Sequence, residues 1–199
     1  MRKLCNREVV LGVGLVVVCI AARLAPHPPN LSPVAAAALF AGATFSRRSA
    51  GVAIALAAMF ASDWAIGFYD PRIMACVYVA MVVPVLLARL THGRYRALRL
   101  AGCAAATSVV FFAASNFGVW LFGGAYKLTP AGLRECYVAA TPFFRYTLTG
   151  DVLWCGVFFG GHALAGLGLR RYFVLAPSGG LRSAVRLPSA SHQRFQPCT

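Results

Sequence analysis

The chain has 199 residues, of which 59% are hydrophobic and only 12% charged, and its mean hydropathy is +0.69. That balance excludes an ordinary soluble domain and suits one compact membrane bundle. Its 19 Lys and Arg against five acids give a net charge of +14. In a soluble chain this would suggest nucleic acid. Here the basic residues flank apolar stretches and no aromatic-basic module accompanies them, so they are assigned to anionic membrane lipid instead.

In chain order, the first apolar run spans 9–24, after Arg2, Lys3 and Arg7. It has the look of a signal peptide, but the spans that follow make it a retained first helix. The segment Pro26-His27-Pro28-Pro29-Asn30 is a loop, because each proline removes a donor and restrains its neighbour. The second run, 34–45, is short against the roughly 20 residues that a bilayer requires, so it is either extended at its ends or buried among other helices. Further spans are expected over 50–68, 73–90, 100–122 and 152–169.

Between the last two, Thr129-Pro130 and Thr141-Pro142 each read as an N-cap followed by proline at the first helical position. They predict two short extracytoplasmic helices, 130–140 and 142–148. The resulting fold class is an all-α integral membrane protein with six transmembrane helices over 1–175 and a disordered cytoplasmic tail over 176–199.

The Lys and Arg distribution orients this layout. With the N-terminus inside, 14 fall on cytoplasmic segments and 5 (Arg23, Arg72, Lys127, Arg134, Arg145) outside. The reverse orientation violates the positive-inside rule, so both termini are expected in the cytoplasm. Small residues recur at four-residue spacing as Ala37/Ala41, Ala38/Gly42, Gly51/Ala55 and Ala57/Ala61. This spacing serves close helix packing inside the chain or a docking face for a membrane partner.

Several polar residues fall in the outer part of the spans, where an unpaired acid is costly. Asp63, in Ser62-Asp63-Trp64, reads either as an interhelical ion pair with Arg145 or Arg23 or as a ligand contact. Asn116 and Trp120 lie one turn apart on one helix face. Asp151 follows Gly150, where it either caps the sixth helix or contacts a ligand. Aromatic residues, among them Trp64, Trp120, Tyr137 and Phe143, favour the outer side beyond what an interfacial belt requires, which suggests an outward-facing pocket. The candidate ligand-binding residues are Asn30, Asp63, Trp64, Asn116, Trp120, Tyr137, Arg145 and Asp151. The scattered seven cysteines and four histidines form no metal-ligand spacing. No nucleophile-base pair or phosphate loop stands out, so no cofactor, no metal and no enzyme activity are expected.

The stretches 26–33 with 38–42, Ser62-Asp63-Trp64 with Gly67-Phe68-Tyr69, 116–120, 137–145 and Gly150-Asp151 together resemble an uncharacterised family of bacterial membrane proteins assigned to transport. That family in turn resembles the substrate-binding S components of energy-coupling factor (ECF) transporters. The resemblance implies a six-helix protein of the bacterial cytoplasmic membrane. It would capture a small solute from outside and take it up with an ECF-type transmembrane subunit and its ATPases. The alternatives are a membrane scaffold without a ligand, or a membrane enzyme using Asp63 or Asp151.

Overall fold

The computed structural model describes the backbone of residues 2–26, 28, 30–93 and 96–175. Among these residues every regular element is helical: α1 (Arg2–Leu24), α2 (Val34–Thr44), α3 (Arg48–Ile66), α4 (Pro71–Ala80), α5 (Val83–Leu87), a single 3-10 turn (Ala88–Thr91), α6 (Arg96–Phe122) and α7 (Pro130–Leu175). Four helical stretches are long and apolar enough to cross a membrane: Arg48–Ile66, Pro71–Thr91, Arg96–Phe122 and Pro130–Gly166. The apolar part of α1 is bracketed by Arg7, Glu8 and Arg23. The chain divides into two units, Met1–Ala163 and Leu164–Thr199. The first holds α1 to α6, most of α7 and the site described below, and the second is described as far as Leu175, so the expected disordered tail lies outside the described residues.

The short second helix is buried rather than extended. Every residue of α2 from Val34 to Ala41 is shielded from solvent, which an Ala-rich helix achieves by letting neighbours approach its backbone. A Cβ on Gly51 of α3 would lie 3.0 Å from the Gly42 nitrogen and 3.3 Å from the Ala38 carbonyl oxygen. One on Gly42 would lie 3.1 Å from the Val85 Cα of α5. Of the small-residue pairs, those of α2 and Gly51/Ala55 therefore serve internal contacts, whereas Ala57 and Ala61 are exposed. On another side Phe40 meets the rings of Phe158, Phe159 and His162 of α7 at 6.1, 5.1 and 5.5 Å.

Local chemistry sets the other boundaries. Asp70 caps α4 by accepting from the Arg72 backbone N–H at 2.8 Å, and the Arg72 side chain beside it holds the Asp70 carboxyl down at about 2. Arg72 also lies over the Phe122 ring at 5.0 Å, which ties the start of α4 to the end of α6. The fourth apolar segment, expected as one span, is one candidate span over Pro71–Thr91, but its helix is interrupted after Ala80 because Pro84 cannot donate to that carbonyl and its ring crowds it.

The largest departure from the sequence reading is α7. The two expected short helices and the sixth span are one helix of 46 residues with Pro142 inside it. Thr129 does act as an N-cap, its hydroxyl accepting from the Gly132 N–H at 3.2 Å. Thr141 does not start a new helix; its hydroxyl donates back to the Tyr137 carbonyl at 2.9 Å. An interior proline forfeits one ladder bond, at a cost of about 3 kcal/mol. Breaking the helix would leave four donors and four acceptors unpaired at the new ends, which is worse in an apolar setting.

Crowding at Gly51 makes this packing testable. Gly51→Leu is expected to lower stability in detergent by about 1–3 kcal/mol by forcing α2 and α3 apart. Gly102→Ala, where an added Cβ meets nothing within 4 Å, is expected to be neutral or stabilising. Thermal melts of the purified variants measure both.

Candidate functional site

A cavity of about 500 Å³ opens among α1, α2, α3, α4, α6 and α7. One wall is a single stripe of α6: Phe111, Phe112, Ser115, Asn116 and Val119. A second is a stripe of α7, formed by Ala140, Phe143, Thr147 and Asp151 at i, i+3, i+7 and i+11. Arg23 from the last turn of α1, Asn30 and Ser32 from the loop before α2, and Tyr69 from the loop before α4 complete the polar lining. One backbone conformation and two close approaches set this geometry. Asn30 takes a left-handed conformation, φ 65°, which asparagine tolerates. A Cβ on Gly150 would lie 3.1 Å from the Leu31 Cα, so glycine lets α7 come against this loop. Gly118 similarly admits Cys76, whose Cβ and Sγ would lie 3.1 Å from an added Cβ, and so brings α6 against α4.

The two acids of the spans have different surroundings. Asp63 is 2% exposed and paired: Arg23 Nη2 donates to Oδ1 at 2.5 Å and the Tyr78 hydroxyl to Oδ2 at 2.8 Å. Arg23 Nη1 also points at the Met59 sulfur, 3.0 Å away, while Arg23 Nε is buried without an acceptor. Asp151 is 4% exposed, and the Ser108 hydroxyl donates to its Oδ2 at 2.6 Å. It lies well inside α7, so it cannot serve as the N-cap of a sixth helix. Partial burial pushes the Tyr69 phenol up, with the Asp63 carboxylate adding to this and Arg23 opposing it.

The eight candidate residues therefore separate. Asn30, Asn116 and Asp151 line the cavity, and the Asn116 amide donates to the Phe112 carbonyl at 2.8 Å. Asp63 stands behind Arg23 in the ion pair, one of the two readings open for it. Tyr137 buttresses the cavity wall: its hydroxyl donates to the Ala113 carbonyl at 2.7 Å and its ring meets Phe112 at 5.6 Å. The other three lie outside the cavity lining. Trp64 is 72% exposed in a cluster with Phe60 and Phe68. Trp120 donates from its indole to the Lys127 carbonyl at 3.0 Å, fastening the loop before α7. Arg145 is exposed and folds over Tyr146, 4.6 Å from its ring. Sequence reasoning missed Arg23, Ser32, Phe111, Phe112, Ser115 and Thr147 as cavity residues, although most follow from projecting the helix faces of Asn116 and Asp151.

The profile of a family of unknown function, DUF6580, matches residues 3–175. The chain belongs to this family. No curated protein and no solved structure matches it. The DUF6580 match covers every residue that lines the cavity. Among the described residues of this DUF6580 protein, no three His, Cys, Asp or Glu side chains come together as a metal site would require.

The ion pair of this DUF6580 protein yields a sharp stability test. Arg23→Met leaves the Asp63 carboxylate buried with only Tyr78, at an expected cost of about 3–5 kcal/mol. The double variant Arg23→Met/Asp63→Leu is expected to recover most of that loss. Denaturation of the single and double variants measures the coupling, and additive losses would exclude a mutual ion pair.

Proposed function

We propose that this DUF6580 protein is a membrane solute-binding transport protein. It takes a small solute into the cavity beside Asp151 and mediates its uptake. The observation that carries the reading is a cavity of about 500 Å³ with ring-bearing walls and a few convergent polar groups, the usual makeup of a small-molecule site. Its lining comes from the last turn of α1, the second halves of α3 and α6, the first turn of α2, the length of α4 and the segment 140–151 inside α7, on the side of the bundle where α1, α3 and α6 end. The Lys and Arg count favours that end being outside and both termini cytoplasmic, and the family resemblance implies six helices crossing the inner membrane of a bacterial cell. No phosphate loop is legible in the sequence, so ATP-driven uptake would draw on partner subunits, as in the ECF transporters whose S components the sequence resembles.

A second reading, a membrane scaffold without a ligand, is favoured by the Arg23–Asp63–Tyr78 cluster, whose carboxylate is matched internally. Thermal-shift screening of the purified full chain against vitamins, nucleobases, amino acids and other small metabolites separates the two. A solute at 100 times its Kd is expected to stabilise the fold by about 2.7 kcal/mol. Asn116→Ala is expected to weaken that response while the protein stays folded. If no solute stabilises the protein and the cavity variants merely lower its folded yield, the scaffold reading replaces this one.

A further inference from the structure

The charge balance of the cavity bears on the class of solute, an inference that rests on the solute-binding reading above. Two residues of formal charge line the cavity, Arg23 and Asp151. Arg23 is already neutralised, its Nη2 lying 2.5 Å from the Asp63 carboxylate. Asp151 has no such partner: among the described residues, no Lys, Arg or His comes within ion-pair distance of it. Its one hydrogen bond, from Ser108, occupies Oδ2 and leaves Oδ1 without a donor. A neutral hydroxyl orients a carboxylate but does not offset its charge. With Asp151 ionised, Arg23, Asp63 and Asp151 together leave one negative charge with no cation beside it among the described residues.

The walls suit the same sign. Phe111, Phe112, Phe143 and Tyr69 line the cavity, and aromatic faces attract cations through their quadrupole. An anion would meet the Asp151 carboxylate in the same space. We infer that the cavity takes a small organic monocation. Its protonated amine sits at Asp151 Oδ1, and its apolar or aromatic body lies against the ring-bearing walls.

The test uses three probes of similar body and different charge: phenethylammonium, neutral 2-phenylethanol and anionic 3-phenylpropionate. Each is titrated into the purified full chain in lipid nanodiscs at neutral pH, with melting midpoint and calorimetric Kd as readouts. The cation is expected to bind at least about tenfold more tightly than the alcohol, and the anion not at all. Asp151→Asn is expected to abolish the preference for the cation, and Asp151→Glu, which keeps the charge, to retain it. Should Asp151→Asn fail to fold, the ranking of the three probes on the wild-type chain decides alone. A cation that binds wild type and Asp151→Asn equally overturns the inference. So does tighter binding of the alcohol or the propionate, although the cavity would then still be a solute site. If none of the three binds and a wider solute collection gives no stabilisation either, the solute-binding reading falls and takes this inference with it.

Discussion

A bilayer supplies no water to a buried charge, so each ionised group within the spans must be matched by the protein itself or by something it binds. The two buried acids answer this constraint in different ways. Asp63 is matched from within, by Arg23 of α1 and by Tyr78 of α4, and so draws three helices together at one end of the bundle. Asp151, on the face of α7 that lines the cavity, has among the described residues only a neutral hydroxyl. An internal ion pair is a structural device. An unmatched carboxylate at the wall of a cavity is a request for a partner, and the functional reading follows from that asymmetry.

Close packing provides the space in which the asymmetry matters. Alanine and glycine on α2 let α3 and α5 approach its backbone, so a helix of only 11 residues becomes the centre of the bundle. The helices around it leave a cavity, while Gly118 and Gly150 bring α6 and α7 in at the levels of Asn116 and Asp151. Glycine thus contributes by permitting contact at specific points, and at Gly118 and Gly150 that point lies near a polar residue of the lining.

Much of the helical framework was legible because apolar run length and proline placement are local signals. The runs at 9–24, 34–45, 50–68 and 100–122 correspond closely to α1, α2, α3 and α6. Pro142 misled the reading. A Thr-Pro pair is as good a helix start as any in a chain that can hydrate its free ends, and the cost of unpaired ends in an apolar bundle is not a local property. That error also hid part of the site. With 130–148 treated as separate helices, the alignment of Phe143, Thr147 and Asp151 on one stripe could not be drawn. Aromatic content pointed to a ring-lined pocket, but Trp64 and Trp120 went to the bundle exterior and a loop contact, since composition cannot say which way a ring faces.

The account depends on the cavity beside Asp151 being a water-reachable solute site rather than a packing gap. The most direct measurement is the rate at which a water-soluble, membrane-impermeant thiol reagent modifies a single cysteine in an otherwise cysteine-free chain. Val119→Cys lies in the cavity wall, and Val109→Cys lies on the exposed flank of the same helix. The account predicts that Val119→Cys reacts, that Val109→Cys in the bilayer does not, and that a stabilising solute slows the first reaction. An unreactive Val119→Cys in a folded protein would contradict it.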